Sequence, residues 1–167
     1  MLEVIEKIKG VTNNTLLFHS VTGKDSILLL DLLFKSGVKI TPVYMFTVPG
    51  LVYVEKYISY FEKYYSVKFI KIPHYVLLQR QKKSFNLSKL IIDIKNKTGI
   101  NYCCLGFKKS DSLNRNLMLN AIKKDSYIDI KTNNYYPLAD LNNKQVMTLI
   151  KNNNLLEPKS FGNAKSM

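Results

Sequence analysis

Thr15-Leu-Leu-Phe-His-Ser20-Val-Thr-Gly-Lys-Asp-Ser26-Ile-Leu-Leu-Leu-Asp-Leu-Leu33 joins two apolar runs through one short polar turn. Residues 15–20 have the pattern of a strand buried on both faces. After the turn at Thr22-Gly23, residues Ser26 to Ser36 predict a helix that Gly37 terminates. A helix that begins there points its free N–H groups and partial positive charge back at the turn, a setting that suits a phosphate. Gly23 lets an anion approach the backbone. Lys24 adds a full charge, and Ser20, Thr22 and Ser26 add hydroxyl donors. Asp25 is out of place beside phosphates unless it orients the loop or holds Mg²⁺. The plainer alternative is an ordinary turn in which Asp25 or Ser26 caps the helix. The loop is not a Walker A loop, because the Gly-X4-Gly-Lys-Ser/Thr spacing is missing.

Outward from this loop, strand and helix patterns alternate. Leu2 to Ile8 reads as an amphipathic helix ended by Gly10. Lys39 to Phe46 reads as a strand, Leu51 to Tyr65 as a helix and Val67 to Ile72 as a strand. Tyr75 to Gln81 and Ser88 to Asn96 read as helices around a basic loop with Arg80, Lys82 and Lys83. Asn101 to Gly106 would be a fourth strand, Leu113 to Lys123 a helix, Tyr127 to Ile130 a fifth strand and Asn142 to Asn153 the last helix. This alternation predicts an α/β fold, a mainly parallel five-stranded sheet flanked by helices, with ligands bound beyond the carboxyl ends of the strands.

No repeat or linker divides the 167 residues, so residues 1–167 are expected to form a single domain. Lys and Arg number 25 against 12 Asp and Glu, a net charge of +13. Such an excess attracts anions, whether a nucleotide, a nucleic acid or an acidic partner, although a merely solvated basic surface explains it as simply. Arg80 and Arg115 stand out among the lysines, since only Arg offers a planar bidentate fork. Cys103 and Cys104 are adjacent and on a strand would point to opposite faces, making neither a disulfide nor a metal clamp. No basic-then-apolar leader order and no run long enough to span a bilayer is present, so a cytoplasmic protein without membrane contact is expected.

Leu16 to Leu33 resembles the PP-loop of the ATP pyrophosphatases, and within that superfamily the phosphoadenosine phosphosulfate (PAPS) reductase-like branch, including its short phage and mobile-element members. The usual form is Ser-Gly-Gly-Lys-Asp-Ser. Here Val21 and Thr22 replace the leading Ser and Gly, Ser20 lies one position early, and Gly23-Lys24-Asp25-Ser26 is intact. Gly106-Phe-Lys-Lys-Ser-Asp-Ser-Leu-Asn-Arg115 is similar to the branch's Gly-X-Arg-X-X-(Asp/Glu)-Ser-X-X-Arg signature, with Lys108 where Arg is commoner. Tyr136-Pro-Leu-Ala-Asp140 is similar to its Tyr-Pro-Leu-Ala-Asp-Trp segment, with Leu141 in place of the Trp. Without the resemblance, Asp111 and Arg115 would read as a surface i,i+4 pair.

The resemblance implies the Rossmann-like, adenine nucleotide α-hydrolase-like fold and an adenine nucleotide, ATP or PAPS, with Mg²⁺. Chemistry at the α-phosphate would adenylate an acceptor or transfer sulfur, with pyrophosphate release. Lys24 and Arg115 would stabilise charge on the phosphates. Asp25 would hold Mg²⁺ or brace the loop, assisted by Asp111. Ser20, Thr22, Gly23, Ser26, Gly106, Lys108 and Ser112 would complete the nucleotide site. Thr47 is expected to meet the ribose or adenine, because Phe46-Thr-Val-Pro-Gly50 lacks the family's carboxylate there.

The reductase motif Glu-Cys-Gly-Leu-His is absent and no Cys follows Cys104. The chain is therefore not expected to be a self-sufficient PAPS reductase. With no Cys-X-X-Cys, no iron–sulfur cluster and no zinc are expected. His19 reads as a core or rim residue, and His74 follows Pro73 where a ligand contact can form. Alternatives to the enzyme are a catalytically weakened nucleotide-binding regulatory subunit and a basic nucleic-acid-binding module of a DNA-modification system. Nucleic acid, a protein partner and a homodimer all remain open.

Overall fold

The computed structural model describes residues 2–79 and 86–157. The basic loop with Arg80, Lys82 and Lys83 lies outside the described residues. The elements run α1 (Leu2–Lys9), β1 (Asn14–Phe18), α2 (Lys24–Ser36), β2 (Lys39–Phe46), α3 (Val52–Tyr65), β3 (Ile70–Pro73), α4 (Tyr75–Gln79), α5 (Leu87–Thr98), β4 (Tyr102–Cys104), α6 (Leu113–Ala121), β5 (Ile128–Asp129), β6 (Asn134–Tyr135) and α7 (Asn143–Asn152). A 3₁₀ turn, Lys109–Asp111, precedes α6 and another, Lys123–Asp125, follows it.

The strands form one six-stranded sheet in the order β3-β2-β1-β4-β6-β5. The pairs β1–β2, β1–β4, β2–β3 and β4–β6 are parallel, and β5 pairs antiparallel with β6 at the edge. The sheet therefore has one strand more than the sequence pattern suggests. β6 lies between the expected fifth strand, Tyr127 to Ile130, and the last helix, where the sequence pattern assigns no element. It has only two residues, too few for a periodicity, and its place is set by pairing with Cys103 and Cys104.

β1 is central, and its apolar run is buried from Leu16 to Phe18. α2 is buried nearly all round, through Ile27, Leu28, Leu29, Leu30 and Leu33, because α1 and α7 cover the side that the sheet does not. Gly37 closes it in the left-handed conformation (φ 79°) and donates its N–H to the Phe34 carbonyl. The crossovers β1-α2-β2 and β2-α3-β3 step one way along the sheet, and the return from β3 to β4 steps the other way. Right-handed crossovers then put α2 and α3 on one face and α5 and α6 on the other. The direction reverses between β1 and β4, so a crevice opens at the carboxyl ends of these two strands. Among the described residues no helix is long and apolar enough to cross a membrane.

One buried polar contact ties the edge of the sheet to its centre. The Tyr135 hydroxyl on β6 donates to Thr15 Oγ1 on β1 at 3.0 Å, and Thr15 Oγ1 lies 3.2 Å from the Tyr102 carbonyl of β4. Replacing Tyr135 by Phe keeps the ring and removes the hydroxyl. This change is expected to cost about 1 kcal/mol. Urea unfolding should show a lower midpoint with an unchanged slope.

Candidate functional site

The loop after β1 and the start of α2 are held by contacts among their own residues. Gly23 is the N-cap of α2 in extended conformation, and no side chain caps the helix. The capping alternative for Asp25 or Ser26 is therefore not realised, and the N–H groups of the first turn stay open to an anion. Ser26 Oγ instead accepts the Ser20 N–H at 3.1 Å and lies 3.0 Å from Ser20 Oγ. A Cβ on residue 23 would sit 2.2 Å from Ser20 Oγ, so any larger residue there would displace that hydroxyl from its contact with Ser26.

Val21 adopts φ 61°, a conformation that β-branched residues avoid. It is sustained by His19, whose Nδ1 accepts the Val21 N–H at 2.9 Å. His19 is buried, with its ring edge-on to Phe61 and Phe69 at centroid distances of 5.1 and 5.3 Å. Burial lowers its pKa to about 3, so the imidazole is neutral at ordinary pH. The accepting Nδ1 leaves the proton on Nε2, which has no hydrogen-bond partner among the described residues.

The second half of the site is the segment after β4. Gly106 lies against α2, where a Cβ would meet Asp25 Cβ at 3.2 Å and Leu29 Cδ1 at 3.4 Å. Lys108 then turns inward. Only 1% exposed, its ammonium lies 2.8 Å from Asp25 Oδ2 and 3.0 Å from Asp111 Oδ1. Asp111 also accepts the Lys108 backbone N–H at 3.0 Å and receives Arg115 Nη1 at 2.6 Å. Burial alone would raise the Asp111 pKa, but the hydrogen bonds from Lys108 and Arg115 outweigh it and hold the carboxyl below its ordinary range. Arg115 lies over the Phe107 ring at 4.1 Å, and Ser112 caps α6 by accepting the Arg115 N–H.

These elements enclose a cleft of about 410 Å³. Of the residues expected from sequence, it brings together Ser20, Gly23, Lys24, Asp25, Ser26, Gly106, Asp111 and Arg115. Thr22, Thr47, Lys108 and Ser112 do not line it. Thr47 is exposed on the turn after β2, and Lys108 sits behind the wall as a counter-ion. Sequence reasoning missed the apolar side, which Phe18, Met45, Leu87, Leu105 and Phe107 provide from separate elements. His74 also lines the cleft, as its position after β3 suggested, with its N–H bound to the Phe46 carbonyl at 2.8 Å.

Asp25 braces the loop through one oxygen, while its other oxygen, Oδ1, is buried with no hydrogen-bond partner among the described residues and is left for a cation brought in with phosphates. Its Oδ2 accepts both Lys24 (3.2 Å) and Lys108 (2.8 Å). Among the described residues no group of three His, Cys, Asp or Glu side chains could hold a metal ion.

No protein-family model matches the sequence, and no curated protein does. Solved structures match in fold. One is the U34-tRNA thiolase NcsA from Methanococcus maripaludis with its 4Fe-4S cluster, at TM-score 0.64 and 14% identity, covering 99% of this chain and 68% of that one. Another is the NH3-dependent NAD synthetase from Campylobacter jejuni in complex with nitrate, at TM-score 0.60 and 18% identity, covering 92% of this chain and 69% of that one. The protein thus has the α/β fold of these two enzymes.

The thiolase overturns one expectation. The lack of a Cys-X-X-Cys was taken to exclude an iron–sulfur cluster, yet a protein of this fold carries one, so that spacing is no ground for exclusion. The two cysteines of this chain do not themselves form a ready ligand set. Both are fully buried on β4, and burial pushes the Cys103 thiol up to about 12 and raises Cys104 as well.

Two outcomes follow from this geometry. Lys108→Met leaves the Asp25 and Asp111 carboxylates facing each other without their shared counter-ion, and is expected to cost about 3–5 kcal/mol in denaturant unfolding. The depressed pKa of His19 makes stability fall with pH. Between the ordinary value near 6.5 and about 3 the unfolded chain takes up a proton that the folded chain refuses. From pH 6.5 downward this single group should remove about 1 kcal/mol per pH unit, and His19→Gln should flatten that part of the profile.

Proposed function

We propose that the cleft binds an adenine nucleotide, ATP or PAPS, with its phosphates over the uncapped start of α2. The observation that carries this reading is the convergence of that helix start with Lys24 and Arg115 on a cleft whose other side is apolar. Phosphates would take the open N–H groups and the Ser20 and Ser26 hydroxyls. The base would lie against the apolar wall of Phe18, Met45 and Leu87. The fold neighbours support the reading, being enzymes of the superfamily that the loop sequence resembles.

The chemistry we infer is attack by an acceptor on the α-phosphorus. The bond from that phosphorus to its bridging oxygen breaks, and pyrophosphate leaves with the electron pair. Lys24 and the α2 N–H groups would stabilise charge on the departing oxygens, and Arg115 would swing from Asp111 to join them. Asp25 would fix the loop through Lys108 rather than touch the reacting atoms. His19 is buried with Nδ1 already used and would not serve as a general base. His74, which lines the cleft and accepts the Val76 N–H at Nδ1, would be the histidine to take a proton from the acceptor. With Cys103 and Cys104 buried, the chain has no thiol at the cleft for sulfonucleotide reduction.

Calorimetric titration with ATP, PAPS and AMP in the presence of Mg²⁺ tests the proposal. Micromolar binding of ATP or PAPS is expected, with Lys24→Ala weakening it at least about tenfold and Arg115→Ala by a similar factor. Pyrophosphate release on adding an acceptor identifies an enzyme, whereas tight binding without turnover identifies a regulatory subunit. Absence of binding to all three nucleotides would overturn the reading.

A further inference from the structure

The chain's large positive charge is not explained by the cleft, where the cations are paired with carboxylates. α3 offers a place for part of it. Five of the eleven tyrosines lie on this one helix. Tyr53, Tyr60 and Tyr64 are 41%, 43% and 61% exposed, and Tyr60 and Tyr64 stack on each other at 5.7 Å with an interplanar angle of 17°. Lys56 and Lys63 are exposed between them. Positions 53, 56, 60, 63 and 64 follow helical spacing, so they form one stripe about 16 Å long.

The acidic residues of α3 do not neutralise this stripe. Glu55 pairs with Lys71 of β3, and Glu62 pairs with Lys68 while accepting the Phe69 N–H. Among the described residues Lys56 and Lys63 have no ion-pair partner. The opposite side of the helix, through Val54, Ile58, Phe61 and Tyr65, is buried in the core. Tyr60 and Tyr64 meet the core along one edge, at Phe61 and Tyr65 and beside Leu155 and Leu156, and keep the rest of their rings exposed.

We infer that this outer face of α3 binds single-stranded nucleic acid. Flat aromatic rings alternating with unpaired cations suit a strand whose bases stack while its phosphates meet the lysines. A duplex hides its base faces and would gain only the electrostatic part. A second copy of the chain is a poorer occupant. It would bring like-charged lysines together between two bodies each carrying +13. The inference does not depend on the nucleotide reading of the cleft.

Fluorescence anisotropy with a labelled single-stranded RNA of about twelve nucleotides, and with the same strand annealed to its complement, tests it. The full chain should bind the single strand more tightly than the duplex. The Tyr60→Ala/Tyr64→Ala variant should lose at least about tenfold in affinity with its salt slope unchanged, and Tyr60→Phe/Tyr64→Phe should retain binding. Lys56→Gln/Lys63→Gln should reduce the slope of log affinity against log salt by about 1.4. Lys24→Ala should bind like the parent chain. Circular dichroism melts of each variant establish that it is folded. Three results would overturn the inference. One is no binding at low salt, another is equal binding of duplex, and the third is full affinity in the folded Tyr→Ala variant. A concentration-dependent dimer that the Tyr→Ala changes dissolve would assign the face to a second copy instead.

Discussion

A buried ammonium organises the candidate site. Lys108 reaches from the segment after β4 into the joint between that segment and α2, where it pairs with Asp25 Oδ2 and Asp111 Oδ1 together. Each of the three groups would be costly to bury alone. Together they fix the first turn of α2 against the start of α6, and Gly106 permits the close approach that the contact needs. Asp25 is held by Lys108, and no side chain caps α2, so the N–H groups of its first turn remain open. Lys108 thus supports the wall of the cleft without lining it.

A second internal support acts on the other side of the same loop. Val21 lies in a backbone region that its branched side chain disfavours, and the neutral His19 ring holds the chain there through Nδ1. Strain of this kind persists only where the surroundings fix the conformation. Here the surroundings are a buried imidazole, two flanking phenylalanines and a serine pair. The loop geometry is therefore built by the protein's own contacts, which would lower the ordering cost of binding the proposed nucleotide.

Much of this was legible in the sequence, and the failures have physical causes. β2 has the bounds its sequence predicts, because five of its eight residues, Ile40, Thr41, Val43, Tyr44 and Phe46, are β-branched or aromatic. β3 was started too early. Phe69 spends its N–H on the Glu62 side chain rather than on a strand partner, so regular pairing begins only at Ile70. The polar half of the site was accessible because it lies on one contiguous loop. The apolar wall was not, since Phe18, Met45, Leu87 and Phe107 come from four separate stretches with no motif among them. Lys108 was assigned to the ligand because sequence reveals a cation but not its direction. The tyrosines of α3 were visible as residues, but their exposure depends on which side of the helix the sheet covers.

The account rests on a polyphosphate lying over the start of α2, and amide chemical-shift mapping during an ATP titration tests this most directly. The largest shifts are predicted at the backbone N–H groups of Gly23, Lys24, Asp25 and Ser26, with a second group at Gly106 and Phe107. Shifts confined to exposed lysines such as Lys56 and Lys63, with the loop amides unmoved, would mean that ATP binds only as a surface polyanion. That result would contradict the central claim.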